Sequence, residues 1–359
     1  MEEHKRRAVL HLVKRAGRPP GEFVAAVEEV AEKLPDAYQG LDDKWRGECR
    51  DRFVEMMVTD GCFMLEIIRA AIQFMLTTIT LLTILYSEST AYNFLSGAIR
   101  ADMVVIENQL PLLALERLLA VENFTPPSYL ELNDMVRSFL LRPYFESMDY
   151  RCLHPLDILH KSFCGSRRHH GESDGTDFII PNATELSEAG IHFKTSKTPC
   201  VHDVNFETSG VLSIPQVTVD EGTEKEFLNL IIFEQLHADA GSDFTNYIVF
   251  MHHIIGSEKD VGLLRSKGII QNLRDDKEVA VLFNKLTSGS TTNTTAKLHN
   301  MKCKVNAHCA KRRNKWRAIF VQAYLSNPWV FISLVAAVIL LVATLLQTIY
   351  TVIPFYTKN

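Results

Sequence analysis

Four residues near the C-terminal end, His299, Cys303, His308 and Cys309, could supply the nitrogen and sulfur ligands of a tetrahedral zinc site. Their spacing matches no common finger, and two of them are adjacent, which argues against a metal centre. His169 and His170 stand beside Arg167 and Arg168 in a polar, glycine-flanked stretch, Gly165–Gly175. A metal or anion site is one reading of that group; a solvated loop is the better one. His252 and His253 interrupt an apolar helical pattern, where one ring must face inward as a core histidine. Glu66 in DGCFMLEIIR and Glu107 in IENQLP are carboxylates set among apolar residues. A carboxylate so placed pairs or caps, so a structural role is favoured over acid–base catalysis. The chain has no G-x-x-x-x-G-K loop, no G-x-S-x-G elbow and no H-E-x-x-H pair. The expectation is therefore a protein that is not an enzyme and carries no cofactor and no metal.

The elements that would hold these groups are mostly helical. Val9–Arg15 and Gly21–Lys33 read as helices separated by Gly17, Pro19 and Pro20. In Lys44–Arg69, Phe53, Met56, Met57, Phe63, Met64, Ile67 and Ile68 recur at helical spacing and mark one buried face. Ala70–Tyr86 follows as an apolar stretch holding Gln73 and several threonines, which reads as a buried helix, with a second membrane segment or re-entrant element as the alternative. Pro111 opens a helix with Leu112, Leu115, Leu118 and Leu119 on one side. Ile191–Lys194, Val201–Phe206 and Val211–Val219 alternate β-branched residues around Gly210 and Pro215, which predicts a small antiparallel sheet. Helices return at Phe227–His237, Thr245–Ile255 and Asp276–Lys285. The fold class is mainly α with a small antiparallel β-sheet, plus one C-terminal transmembrane helix.

The membrane assignment rests on the residues Trp329–Leu346, which include only Ser333 and Thr344 as polar groups and no charge. A helix from Trp329 to Tyr350 would be about 33 Å long, enough to cross a hydrocarbon core of about 30 Å. The expected anchor residues are Trp329, Val330, Phe331, Ile332, Leu334, Val335, Val338, Ile339, Leu340, Leu341, Val342, Leu345 and Leu346. Lys311, Arg312, Arg313, Lys315 and Arg317 precede the span, and only Lys358 follows it. Basic residues near a span stay on the cytoplasmic side, so the large region is expected in the cytosol of a single-pass protein. Trp316 and Trp329 suit the half-wet interface. Met1–Arg15 has charges throughout and does not read as a secretory signal, so the tail is expected to insert last.

Composition is consistent with this. The net charge of −5 and the dispersal of basic residues away from the membrane edge give no reason to expect nucleic acid. Seven scattered cysteines read as reduced, mostly buried thiols rather than a disulfide framework. Glycosylation triplets at Asn123, Asn182 and Asn293 would matter only with the topology reversed. The expected organisation is a mainly helical domain over 1–286 with its β element near 190–220. A flexible linker at 287–310, marked by the TSGSTTNTT run Thr287–Thr295, leads to a basic juxtamembrane segment at 311–325, the span at 328–350 and a short tail at 351–359.

Ten strings in order carry a resemblance. They are MEEHKRRAVLHLVKR, DGCFMLEIIR, IENQLPLLALERLL, LHPLDILHKSF, ATELSEAGIHFK, VNFETSGVLSIPQVTVD, LNLIIFEQL, FTNYIVFMHHIIGSEKDVGLLRSKGII, KRRNKWRAIF and SNPWVFISLVAAVILLVATLLQTIY. Together they resemble the plant family known as domain of unknown function number 247, over essentially the whole chain. Against the family pattern the chain begins inside, lacking the usual N-terminal portion. The resemblance implies a plant protein with a C-terminal anchor and no established enzymatic activity, in a family of which some grass members are associated with self-incompatibility and others with stress and growth. The expected function is membrane-anchored recognition or signalling through an unidentified protein partner, at the plasma membrane, with lipid engaged by the C-terminal helix. An enzyme of unfamiliar type using Glu107 or a histidine pair, and a tether that self-associates as a homo-oligomer, are the alternatives.

Overall fold

The computed structural model describes residues 2–38, 41–78, 97–125, 127–141, 151–165, 179–272, 274–287, 295–320 and 328–357. Its helices are α1 Glu2–Ala16, α2 Pro20–Glu28, α3 Arg50–Thr78, α4 97–103, α5 Leu112–Asn123, α6 Tyr129–Leu140 and α7 Pro155–Cys164. They continue as α8 Ala183–Glu188, α9 Thr223–Leu236, α10 Asp243–Ile254, α11 Glu258–Ser266, α12 Asp276–Leu286, α13 Ala296–Ala310, α14 Arg312–Phe320 and α15 Pro328–Thr357. The strands are β1 His192–Thr195, β2 Asn205–Phe206, β3 Val211–Ile214, β4 Val217–Val219 and β5 Ile270–Asn272. The expected fold class stands: mainly helical, small sheets, one apolar C-terminal helix.

In the N-terminal half, α1, α2, α3 and α5 pack on one another. Phe53, Met57 and Ile68 are buried as the spacing predicts, while Met56 is exposed and Phe63, Met64 and Ile67 are half-buried. Gly61 allows α3 and α5 to touch: a β-carbon there would collide with Leu118 and press on Leu115. Pro111 precedes α5 and Leu112, Leu115, Leu118 and Leu119 are all buried, as expected. Glu66 belongs to an alternating ring of charge. Arg15 Nη1 donates to Glu66 at 3.1 Å and its Nε to Glu122 at 2.7 Å, while Arg69 Nη1 lies 3.2 Å from Glu66 and its other nitrogen pairs with Glu122. This ring joins α1, α3 and α5, which is the structural role read for Glu66. Glu107 differs: it is exposed, in a single 3-10 turn, because Gln109 rather than Glu107 turns inward from that segment. Of Ala70–Tyr86, the first part through Thr78 continues α3 with Ala71 buried, and 79–86 lies outside the described residues.

The sheet pairing departs from the antiparallel expectation. β1 pairs parallel with β3, β2 pairs antiparallel with β3, and β4 pairs parallel with β5. The cause is Pro215, which has no amide to continue the ladder and so divides Val211–Val219 into two strands. Tyr247 of α10 fixes that break, its hydroxyl donating to the Pro215 carbonyl at 3.1 Å. β4 then pairs with β5, which the chain reaches only after α9, α10 and α11, the long crossover that parallel strands require.

The linker assignment is also corrected. Residues 288–294 lie outside the described set, but 296–310 is the helix α13, and Arg312–Phe320 of the basic segment is helix α14. α13 packs on β2, and α14 packs on α13 and α8. The helix after Pro328 runs on to Thr357, so most of the expected tail is helical too. All seven cysteines are free thiols; Cys62, Cys152 and Cys164 are buried and the other four half-buried, fewer than expected.

Candidate functional site

His160 and Cys164 lie one turn apart on α7, so both face α9, where Glu234 meets them. His160 Nε2 is 2.8 Å from Glu234 Oε1 and Cys164 Sγ is 3.5 Å from the same nitrogen. All three residues are buried. Among the described residues this is the one group of three or more ligating side chains whose donor atoms lie within 4.8 Å of one another.

Two observations decide what this group does. In a thiol–imidazole–carboxylate relay the nucleophile and the carboxylate hold opposite ring nitrogens. Here both address Nε2, and burial holds the Cys164 thiol well above its ordinary range, so it carries no thiolate. Glu234 is also fully engaged. Its Oε1 accepts the Phe244 amide at 2.9 Å, and its Oε2 accepts the Thr245 amide at 2.8 Å and the Thr245 hydroxyl at 2.5 Å. Those amides open α10, whose own N-cap, Ser242, makes no side-chain capping bond to them. Glu234 is thus a cap supplied from another helix, placing negative charge at the positive end of α10.

The same device recurs across the fold. Asp260 accepts the Thr184 amide at 2.9 Å at the start of α8, and the Gly256 amide at 3.2 Å near the start of its own helix. Gln109 Oε1 accepts the Leu156 amide of α7 at 2.9 Å, and Asn229 Oδ1 accepts the Ile106 amide at 2.9 Å. His154 caps α7 through Nδ1, which accepts the Asp157 amide at 3.1 Å. Burial, opposed in part by Asp157, lowers the His154 pKa to about 4, so the ring stays the neutral acceptor this cap needs. These residues fall in the strings IENQLP, LHPLDILH, LNLIIFEQL and GSEKDV. Sequence reasoning passed over Gln109, Asn229, Glu234 and Asp260 because each acts on the backbone of another element, whereas the His154 cap is local; for Asn229 and Glu234 the available signal was a polar residue inside the apolar run LNLIIFEQL.

The sequence candidates are placed apart. His169 and His170 lie outside the described residues. His252 and His253 are both half-buried on α10, so neither is a fully enclosed core histidine. His299, Cys303, His308 and Cys309 share α13 without gathering into a ligand set, and the His308 ring packs edge-on against Phe206 at 5.4 Å. A crevice between Val201–Val204, α10 and the start of α13 holds His202 and Asp243 3.4 Å apart, with room for little more than a water.

The C-terminal helices are built differently. Trp329–Tyr350 is a 22-residue span whose most apolar 18-residue window has a mean hydropathy of 2.8, none of it buried against the body. It includes all the expected anchor residues. Of the basic residues, Lys311 precedes α14 and Arg312, Arg313, Lys315 and Arg317 lie on it. Arg317 rests on Gly190, whose φ of +93° and missing side chain leave space for the guanidinium. His308 occupies the equivalent space over Gly210, φ +89°, and the Asn314 amide donates to the His308 carbonyl at 2.8 Å, closing the corner between α13 and α14.

The family DUF247, described as plant protein of unknown function, matches residues 1–343. The UPF0481 protein At3g47200 of Arabidopsis thaliana is 28% identical over 335 residues, 84% of this chain and 68% of that protein. A second Arabidopsis UPF0481 protein, At3g02645, is 29% identical over 173 residues, 48% of this chain and 33% of that protein. No solved structure matches.

Proposed function

Given that the chain belongs to the plant family DUF247, we propose that it is a membrane-anchored recognition module that works by binding another protein and performs no catalysis itself. The observation that carries this reading is the bare span Trp329–Tyr350, which has no partner surface on the body and is long enough to cross a bilayer. The binding role is supported by the way the buried polar residues are used. Glu234, Asp260, Gln109 and Asn229 are taken up in accepting backbone amides and His160 is held by Glu234, which leaves them to shape a rigid body rather than to react. Leu153, Ile232 and Leu236 are exposed on and beside α9, and a partner would gain by covering them. The five basic residues ahead of the span and the single one after it favour a cytosolic body. The plasma membrane, and the recognition and stress roles associated with the family, are part of this proposal.

Two experiments test it. Leu340→Arg should weaken insertion by about 2.5–3.5 kcal/mol on translocon scales and shift the chain toward the soluble fraction. An unchanged membrane pellet removes the anchor assignment. Proximity labelling from the body, against a control carrying only residues 321–359, should return a reproducible protein set that Leu236→Lys depletes. A set identical to that control rules out the recognition role.

A further inference from the structure

Helix α14 has two faces with different tasks. Asn314 is buried and bonded to His308, and Arg317 is seated on Gly190, so that side is turned to the body. Trp316, Ile319 and Phe320, at i, i+3 and i+4, form the other side and are 63%, 51% and 46% exposed. A stripe of one tryptophan, one isoleucine and one phenylalanine facing outward is costly in water. The register of the helix, about 100° per residue, sets positions 312, 313 and 315 within about 90° of the centre of that stripe. Those positions are Arg312, Arg313 and Lys315, Lys311 precedes them, and from Lys311 to Phe320 there is no acidic residue.

The helix is also kept close to the bilayer. Eight residue steps separate Phe320 from Pro328, where the apolar helix begins, and such a length spans at most about 28 Å even fully extended. An apolar stripe flanked by cations, tied to a span at this distance, has the pattern of a helix lying in the headgroup layer.

We propose that α14 is a second membrane contact: an interfacial helix that places Trp316, Ile319 and Phe320 among the acyl chains of an anionic leaflet, with its basic residues on the phospholipid headgroups. Because α14 is seated on Gly190 through Arg317 and tied by Asn314 to α13, whose His308 lies over Gly210, this contact fixes the orientation of the whole body on the bilayer. The spanning helix alone would leave the body free to turn. The inference rests on the anchored reading above and adds an anionic lipid as a ligand of the chain.

The test uses the full chain in vesicles with brominated acyl chains, which quench tryptophans that enter the bilayer. Of the three tryptophans, Trp45 and Trp329 are changed to Phe to leave Trp316, or Trp45 and Trp316 to leave Trp329. In phosphatidylserine-containing vesicles both reporters should be quenched. Trp316 should lose its quenching in pure phosphatidylcholine, and also when Lys311, Arg312, Arg313 and Lys315 are all changed to Gln. Trp329 should stay quenched throughout. Trp329 quenched with Trp316 unquenched in anionic vesicles overturns the interfacial helix and leaves the anchor standing. Equal quenching of Trp316 in both lipids overturns the anionic ligand. Neither reporter quenched overturns the anchored reading itself.

Discussion

The Arg317 guanidinium lies over the Cα of Gly190, two residues past the end of α8, in space that any β-carbon would fill. Together with His308 over Gly210, this contact makes α13 and α14 part of the body rather than a loose lead to the apolar C-terminal helix. The connection that composition marked as flexible is therefore, from Ala296 onward, a packed corner of two helices.

Gly190→Ala tests that corner. The substitution is strained at φ +93° and also displaces Arg317. It should destabilise the body by about 1–3 kcal/mol and release α14. Trypsin then cleaves faster at Arg312, Arg313 and Lys315, and Arg317→Ala added to the same chain restores little, since the backbone strain remains. Unchanged cleavage and unchanged thermal unfolding would show that the seat does not hold the helix.

What was legible before the fold follows from where the information sits. The span, the leucine face after Pro111 and the pairing role of Glu66 are local patterns that a single helix expresses. α13 was hidden because its buried face is Met301, Lys302 and Val305, and a fully buried lysine on that face breaks the apolar spacing that would have shown a helix. The parallel pairing of β4 with β5 was hidden because the partner lies some 50 residues on, beyond three helices. Glu234 was hidden for the same reason: its purpose is set by two amides of a different helix, ten and eleven residues away.

Glu234 makes a sharp prediction of its own. Glu234→Ala leaves the α10 amides, the Thr245 hydroxyl and the His160 ring nitrogen without their acceptor in the interior, at a cost of about 3–5 kcal/mol. Glu234→Gln keeps one oxygen and should cost less, about 1–3 kcal/mol. Urea unfolding of the two variants measures both. A chelator separates capping from metal binding by the same group: it should leave the unfolding of the unchanged chain where it is. A drop on adding chelator would assign His160, Cys164 and Glu234 to a metal instead.

His154 sets a pH limb. Its pKa falls from 6.5 in the unfolded chain to about 4 in the fold, chiefly through burial; Asp157 opposes the shift, and His237 and Lys161 add to it. The unfolded state therefore binds the proton first, and the stability His154 contributes is whole above about pH 6.5 and is lost as pH falls toward 4. Protonation would also abolish the Nδ1 acceptor that caps α7. His154→Asn keeps a capping oxygen and removes the titration, so the melting temperature of the unchanged chain should fall more steeply between those pH values than that of the variant. Parallel curves would mean that other groups carry the acid limb.

Topology can be read from one residue. Of the three glycosylation triplets, Asn293 lies outside the described residues. Asn182 is engaged: its Oδ1 caps α8 by accepting the Glu185 amide at 2.9 Å, and the Thr184 hydroxyl of the same triplet donates to Asp260 at 2.6 Å. A glycan is joined through Nδ2 and would leave the Oδ1 cap in place, but Asn182 is half-buried with its Nδ2 packed beside Gly256, so it is the poorer reporter of sidedness in the folded chain. Asn123 is exposed at the end of α5, with Thr125 beside it, and is the triplet that reports sidedness. On the cytosolic orientation proposed from the basic residues ahead of the span, Asn123 should carry no sugar, and protease added outside sealed microsomes should digest the body. A glycosidase-sensitive Asn123 on a protected body would place α14 and its cations on the far leaflet, where anionic lipid is scarce, and would overturn the cytosolic assignment and the lipid contact together.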